Sequence, residues 1–276
     1  MVLKDENMKI FIVCTRLCYG GAEHVGVMLA NGFARRGHDV TVVANLFDPI
    51  TYKLDEAVCV RNLVATNNHK MRKWGSSIFL MYRYMKGQQP DVVIGILNTA
   101  SLVAKIAALL VRLNGLFTFH FSQFRRKIPV VMTEHNAFER PASAPFSKGK
   151  IFAKFYLNRI YKYVTVLTEA DKNIIGNKLR NVYVMPNPLT MNAIEKLPCK
   201  ENFILAAGRL DSWHVKGFDI LIKAWAKIYP NHKDWRLCIA GKDENGSLPM
   251  LQKWCKDYGV DDSTSFLGFC DDIVDL

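Results

Sequence analysis

Cysteine is sparse and unpatterned in this chain of 276 residues. Its seven cysteines, Cys14, Cys18, Cys59, Cys199, Cys238, Cys255 and Cys270, include no Cys-x-x-Cys pair. An odd, irregular set suits neither a zinc site nor a disulfide scaffold, and it predicts a reducing compartment. Ten prolines and seventeen glycines are scattered along the chain, which excludes a collagen-like or low-complexity protein. Long apolar runs are also missing. The most apolar region, Leu102 to Phe124, is interrupted by Lys105, Arg112 and Asn114, whereas a spanning helix needs about 20 mostly apolar residues; no membrane crossing is expected. Met1 to Met8 is polar and lacks the apolar stretch of a signal peptide, so export is not expected either. Zinc-finger spacing, an RNP-like aromatic strand and basic heptads are absent, which disfavours nucleic acid as a partner.

Acidic residues are the minority, 25 against 37 Lys and Arg, and the imbalance is uneven. Residues 1–200 hold 28 basic and 13 acidic side chains, while residues 201–276 hold 9 and 12. A basic first part and a slightly acidic second part face different partners; anionic headgroups or phosphorylated substrates suit the first. Half the residues are hydrophobic and the mean hydropathy is +0.02, so a globular core is expected.

The apolar residues are ordered as alternating strands and helices. Lys9–Thr15 reads as a buried strand, Ala22, Val25, Met28, Leu29 and Phe33 share a helical face ending at Arg35-Arg36-Gly37, and Val40–Ala44 is a second strand. Further strands are expected at 58–63, 91–96, 129–133, 163–167 and 182–185, with helices at 76–86, 101–113 and 148–161. Such alternation predicts an α/β fold with an open, largely parallel sheet. Two prolines flanking Asn187 break the pattern, so a first Rossmann-like domain is read over 1–190. A second begins after it, with strands at 203–207, 236–240 and 264–267 and helices at 218–228 and 248–258. Three strands fall short of the usual six or so, and the second domain, 191–276, is read as incomplete.

In open α/β sheets ligands gather at the carboxyl ends of strands. Gly20-Gly21 follows the first strand, with close approach and positive φ available to it; a plain tight turn explains it equally well. A dinucleotide cofactor is disfavoured, because G-x-G-x-x-G is absent and Ala44-Asn45, not an acid, ends the second strand. His135 follows the strand ending at Thr133, although a lone histidine is more often structural. Arg209 and Lys216 bracket a strand-to-helix turn where two cations would stabilise a leaving diphosphate; solvated surface charge is the bland alternative.

The ordered set Gly20-Gly21-Ala22-Glu23, Thr133-Glu134-His135-Asn136, Met185-Pro186-Asn187-Pro188, Gly208-Arg209-Leu210, Lys216-Gly217-Phe218-Asp219, Cys238-Ile239-Ala240-Gly241 and Phe266-Leu267-Gly268-Phe269 resembles glycosyltransferase family 4. That resemblance implies retaining enzymes of the GT-B fold, with an acceptor domain first and a nucleotide-sugar donor domain second. It implies that Arg209 and Lys216 neutralise the donor diphosphate in place of a metal, and that His135 contacts the donor sugar. Gly20, Gly21, Gly208 and Gly241 join them as substrate-binding positions, with no metal and no cofactor expected. Two departures accompany it. Trp213-His214-Val215 lengthens the interval between the two cations, and the Glu-x7-Glu segment of the family is missing, since no Glu follows Glu244. The donor site is therefore expected to be incomplete and the chain by itself poorly stable or inactive.

Phe117, Phe119, Phe121 and Phe124 lead into Arg125-Arg126-Lys127, a pairing of aromatics and cations suited to an anionic membrane surface or, equally, to a core helix with a charged edge. The implied acceptor is a glycan or lipid-linked glycan of polysaccharide or lipopolysaccharide synthesis. The expected location is cytoplasmic, with peripheral contact on the inner face of the cytoplasmic membrane. The alternative is a non-catalytic remnant that binds acceptor or membrane.

Overall fold

The computed structural model describes residues 7–18, 20–45, 50–63, 70–117, 127–139, 145–189 and 201–270, without the side chains of 70–74 and 115–117. The chain divides into two compact units, Met1–Thr190 and Met191–Leu276.

In the first unit β1 (Lys9–Val13), α1 (Gly21–Arg35), β2 (Asp39–Ala44), β3 (Cys59–Asn62), α2 (Lys70–Gln88), β4 (Val92–Ile96), α3 (Leu97–Phe117), β5 (Val130–Thr133), α4 (Lys148–Phe155), β6 (Tyr163–Val166), α5 (Glu169–Ile175) and β7 (Val182–Val184) follow in order. The seven strands form one parallel sheet in the order β3-β2-β1-β4-β5-β6-β7. The interior strands β1, β2 and β4 are apolar runs, as expected where a parallel sheet is buried on both faces, whereas edge strand β3, Cys59–Asn62, is exposed. Phe11 and Val13 point into one cluster with Met81, Val93 and Ala104, whereas Ile10 and Ile12 point into the other with Val27, Ala30 and Val40. Each such large side chain contributes about 1.5–3 kcal/mol on burial. Strand order reverses between β1 and β4, which sets the ligand crevice at the carboxyl ends of those strands.

Helix α1 stops where the sequence predicts it. Gly37 takes φ +84 and its N–H returns to Ala34 O at 2.8 Å. Leu97–Asn114 of α3 is long and apolar enough to cross a bilayer by length and hydropathy; in this fold Ala100, Val103, Ala104, Ala107 and Val111 are buried in the first cluster. The single helix expected over 148–161 is instead α4 followed by a 3-10 turn, Leu157–Ile160, with Tyr156 at φ −119 between them.

The second unit contains β8 (Phe203–Ala207), α6 (Trp213–Lys216), α7 (Phe218–Ile228), β9 (Arg236–Ala240), α8 (Leu248–Asp257) and β10 (Thr264–Gly268), its parallel strands ordered β10-β9-β8. Leu237 and Ile239 pack with Phe218, Ile222, Trp225 and Leu251 from α7 and α8. On the other face Phe203, Leu205, Cys238 and Leu267 line an open hollow of about 420 Å³.

Candidate active site

Three strand ends meet at the reversal of strand order in the first unit. After β1, the turn preceding α1 brings Gly20 against the Glu23 carboxylate, and any Cβ at Gly20 would overlap it. Gly20 has φ −123 and Gly21 is not in the positive-φ region either. The expected use of positive φ is therefore corrected: Gly20 is small to admit the Glu23 carboxylate, and the space beside Gly21 is open. Glu23 is buried, its carboxylate 3.8 Å from Arg16 Nε. The Tyr52 hydroxyl donates to Gly20 O at 2.9 Å while its ring stacks on His24, pinning the turn from outside. Burial, then the Glu23 charge, raises the Tyr52 pKa.

After β4 the chain enters α3 without a loop. Leu97 makes that corner at φ +65, a conformation that costs a branched side chain energy and is found where a site demands it. The next residue, Asn98, places its amide nitrogen 3.4 Å from Glu134 Oε2, and its buried amide oxygen has no hydrogen bond among the described residues.

After β5, Glu134 is only 2% and Lys154 of α4 only 4% exposed, and Lys154 Nζ lies 3.1 Å from Glu134 Oε2. The other carboxylate oxygen accepts the backbone and side-chain N–H of Asn136, both at 3.1 Å. Lys154 also donates to Asn136 O at 3.1 Å and sits 4.0 Å from the Phe138 ring centre. One ion pair thus clamps the turn that carries His135.

The His135 ring is engaged at both nitrogens: Nε2 lies 3.0 Å from Thr133 Oγ1, and Nδ1 lies 3.1 Å from Asn187 Oδ1. The Thr133 hydroxyl gives its proton to Gly95 O at 3.0 Å, so Nε2 carries a hydrogen. Burial lowers the His135 pKa from its ordinary 6.5, outweighing the Asn187 hydrogen bond and the carboxylates of Glu134 and Glu23. Held at both nitrogens, the ring is fixed in one orientation between Thr133 and Asn187. The structure thus brings His135, Glu134 and the Glu23–Gly20 turn into one electrostatic neighbourhood.

In the second unit Gly208, Lys216 and Gly241 converge at the carboxyl ends of β8 and β9. Gly208 N–H bonds Ala240 O at 2.9 Å, and a Cβ on Gly241 would collide with Gly208 O. The methylenes of Lys216 lie over Gly208, 3.1 Å from where a Cβ would stand. The interval around Trp213-His214-Val215 is one helical turn, α6, joined to α7 through Gly217 at φ +75. This turn returns Lys216 to the backbone next to Arg209. Both cations are exposed, and among the described residues neither has a carboxylate or other hydrogen-bonding partner. Asp211 closes the neighbouring loop by accepting Glu244 N–H and Asn245 N–H at 2.9 and 2.7 Å. Among the described residues no group of three His, Cys, Asp or Glu is arranged to hold a metal.

Sequence reasoning passed over Glu134, Lys154 and Asn98 as site residues. Glu134 stands inside a quoted motif, but its pairing with Lys154 is a tertiary contact that no local spacing announces.

Residues 19–191 match the family described as Glycosyltransferase Family 4, and residues 190–276 match Glycosyl transferases group 1. An uncharacterized glycosyltransferase of Haemophilus influenzae is 29% identical over 92% of this chain and 67% of its own length. The Campylobacter jejuni GalNAc-alpha-(1->4)-GalNAc-alpha-(1->3)-diNAcBac-PP-undecaprenol alpha-1,4-N-acetyl-D-galactosaminyltransferase is 28% identical over 98% of this chain and 70% of its own. An Anabaena protein solved in complex with UDP and glucose superposes with a TM-score of 0.69 at 18% identity, covering 96% of this chain and 70% of that one. Likeness at that identity establishes the fold, an α/β arrangement of the GT-B type with parallel sheets. Matched through its first unit and again through its second, the chain belongs to glycosyltransferase family 4.

Proposed function

We propose that this protein transfers a hexosyl-type sugar, with retention, from a nucleotide-diphosphate donor to a glycan or lipid-linked glycan in polysaccharide or lipopolysaccharide synthesis. The observation that carries the reading is the pair of exposed cations at the β8 turn, Arg209 and Lys216, neither of which has a partner among the described residues, with the Lys216 stem over Gly208. A departing diphosphate gains charge as the sugar bond breaks, and fixed cations there stabilise the transition state more than the ground state. They take the role that a divalent metal has in other glycosyltransferases, so no metal and no cofactor are expected. Gly208 and Gly241 keep the floor of that turn free of side chains, so a phosphate can approach the backbone.

In the first unit the Glu23 carboxylate over Gly20 makes the β1 turn a poor cradle for phosphate and a good acceptor for sugar hydroxyls. We therefore assign Gly20 and Gly21 to the sugar acceptor rather than to donor phosphates. His135, fixed between Thr133 and Asn187, is the group for the donor sugar. The Campylobacter relative, whose name specifies an undecaprenol-linked glycan, supports a lipid-linked acceptor, and the UDP and glucose of the Anabaena structure support a nucleotide-sugar donor. A cytoplasmic site at the inner membrane face suits such an acceptor; the segment Phe117–Lys127 expected to meet it lies largely outside the described residues.

Thermal-shift titration with UDP and GDP tests the donor assignment without requiring turnover. Stabilisation should persist in EDTA, and Arg209→Gln or Lys216→Gln should weaken nucleotide affinity about ten- to hundredfold, the loss expected for a charge-assisted hydrogen bond. An unchanged nucleotide response in both variants, or none in the unmodified chain, overturns it.

A further inference from the structure

We propose that the exposed face of α4 and the 3-10 turn after it is a docking surface for an anionic lipid bilayer. Phe152, Tyr156 and Ile160, spaced by four residues, are 59%, 53% and 40% exposed. The first two rings stack at 5.8 Å, and the Arg159 guanidinium lies 5.0 Å over Tyr156. Directly beyond, Arg159, Lys162, Lys178 and Arg180 line a cavity of about 500 Å³ whose wall has no carboxylate among the described residues. Among the described residues none of these four cations makes an ion pair; Arg159 Nε donates to Lys178 O at 3.0 Å, and Lys178 Nζ lies 4.5 Å from the Phe155 ring.

A row of exposed apolar side chains ending in unneutralised cations matches the two layers of a membrane interface. The ring and aliphatic groups enter the acyl boundary while the cations meet headgroup phosphates. Nucleic acid would use the cations but leave Phe152 and Ile160 in water, and an acidic protein surface would need its own apolar row in register. The cavity sits at the amino ends of β6 and β7, since Lys162 and Asn181 immediately precede those strands. Docking there leaves the carboxyl ends, where His135 stands, open to substrate. This surface deepens the membrane part of the proposed function, lies apart in sequence from Phe117–Lys127, and does not depend on the donor chemistry.

Co-sedimentation of the full chain with phosphatidylcholine vesicles, with and without phosphatidylglycerol, tests it. Binding should require phosphatidylglycerol and weaken as salt rises. Lys162→Gln/Arg180→Gln should weaken it about thirtyfold, roughly fivefold per charge near the surface, and Phe152→Ser/Tyr156→Ser should weaken it without changing the salt dependence. All four side chains are outside the buried core, so melting temperature and UDP response should stay as in the parent, which separates this outcome from failure of the donor assignment. Absence of binding to anionic vesicles, or binding by either double variant as strong as the parent's, overturns the proposal. Capture by duplex DNA in place of vesicles, lost in the charge variant, would give the cavity to nucleic acid and overturn it as well.

Discussion

Replacing Lys154 by Met keeps most of the stem and deletes the ammonium that faces Glu134 at 3.1 Å. The carboxylate stays behind in a site that is 2% exposed, where an unpaired charge is strongly penalised. Breaking a buried pair from one side costs about 3–5 kcal/mol. Glu134 keeps two hydrogen bonds from Asn136, each worth about 1.5–3 kcal/mol to a charged acceptor, which pulls the expected loss toward the lower end, about 3 kcal/mol. Lys154 also loses its place over the Phe138 ring. Combining Lys154→Met with Glu134→Gln removes both charges, and the double variant should recover much of the loss, because a buried pair contributes little net stability over neutral groups. Urea unfolding, with separate transitions allowed for the two units, measures both. A single-variant loss below about 1 kcal/mol, or a double variant no more stable than the single, would refute the buried-charge account.

Gly241→Ala should strain the turn after β9 by about 1–3 kcal/mol, since its methyl meets Gly208 O in the turn after β8, and should weaken UDP binding together with stability; melting and nucleotide titration read both. Because burial lowers the His135 pKa below 6.5, the unfolded chain binds a proton that the fold does not. That contribution to stability is therefore present above pH 6.5 and disappears as pH falls through the folded value. His135→Gln should flatten stability against pH in that window, and identical pH slopes in variant and parent would contradict the assignment. Cys59 is exposed, whereas Cys14 is buried and its thiol pKa is raised by burial and then by Glu23; iodoacetamide should label Cys59 in the native state and spare Cys14 until unfolding.

The first sheet was legible because both of its faces are covered. β1, β2 and β4 are apolar runs for that reason, and the glycine stop at Gly37 is a local signal. Short elements were not legible. Helix α5 spans seven residues, too few for an apolar repeat, although Thr168 and Asp171 form its cap through the Asp171 N–H to Thr168 Oγ1 bond at 3.1 Å, a signal that Thr168-Glu169-Ala170-Asp171 does carry. Helix α6 is a single turn and looked like an insertion. The break after α4 escaped because the apolar pattern runs on through Tyr156 while Lys154 turns inward to Glu134. In the site, the positions of His135 and Arg209 just past strand ends follow from strand order, and that of Lys216 from the entry into the next long helix. The carboxylate over Gly20 and the clamp under His135 do not, because each joins residues whose contact depends on folding.

The one-turn helix between the two cations has a practical consequence. Its Trp213 indole meets Trp254 edge-on at 5.0 Å and the His214 ring at 5.2 Å, and four of the five tryptophans of the chain, 213, 225, 235 and 254, belong to the second unit. Emission from this protein is thus dominated by the unit that carries Arg209 and Lys216, with one fluorophore stationed between them in sequence. Nucleotide binding can be followed by intrinsic quenching, without a dye or a coupled enzyme.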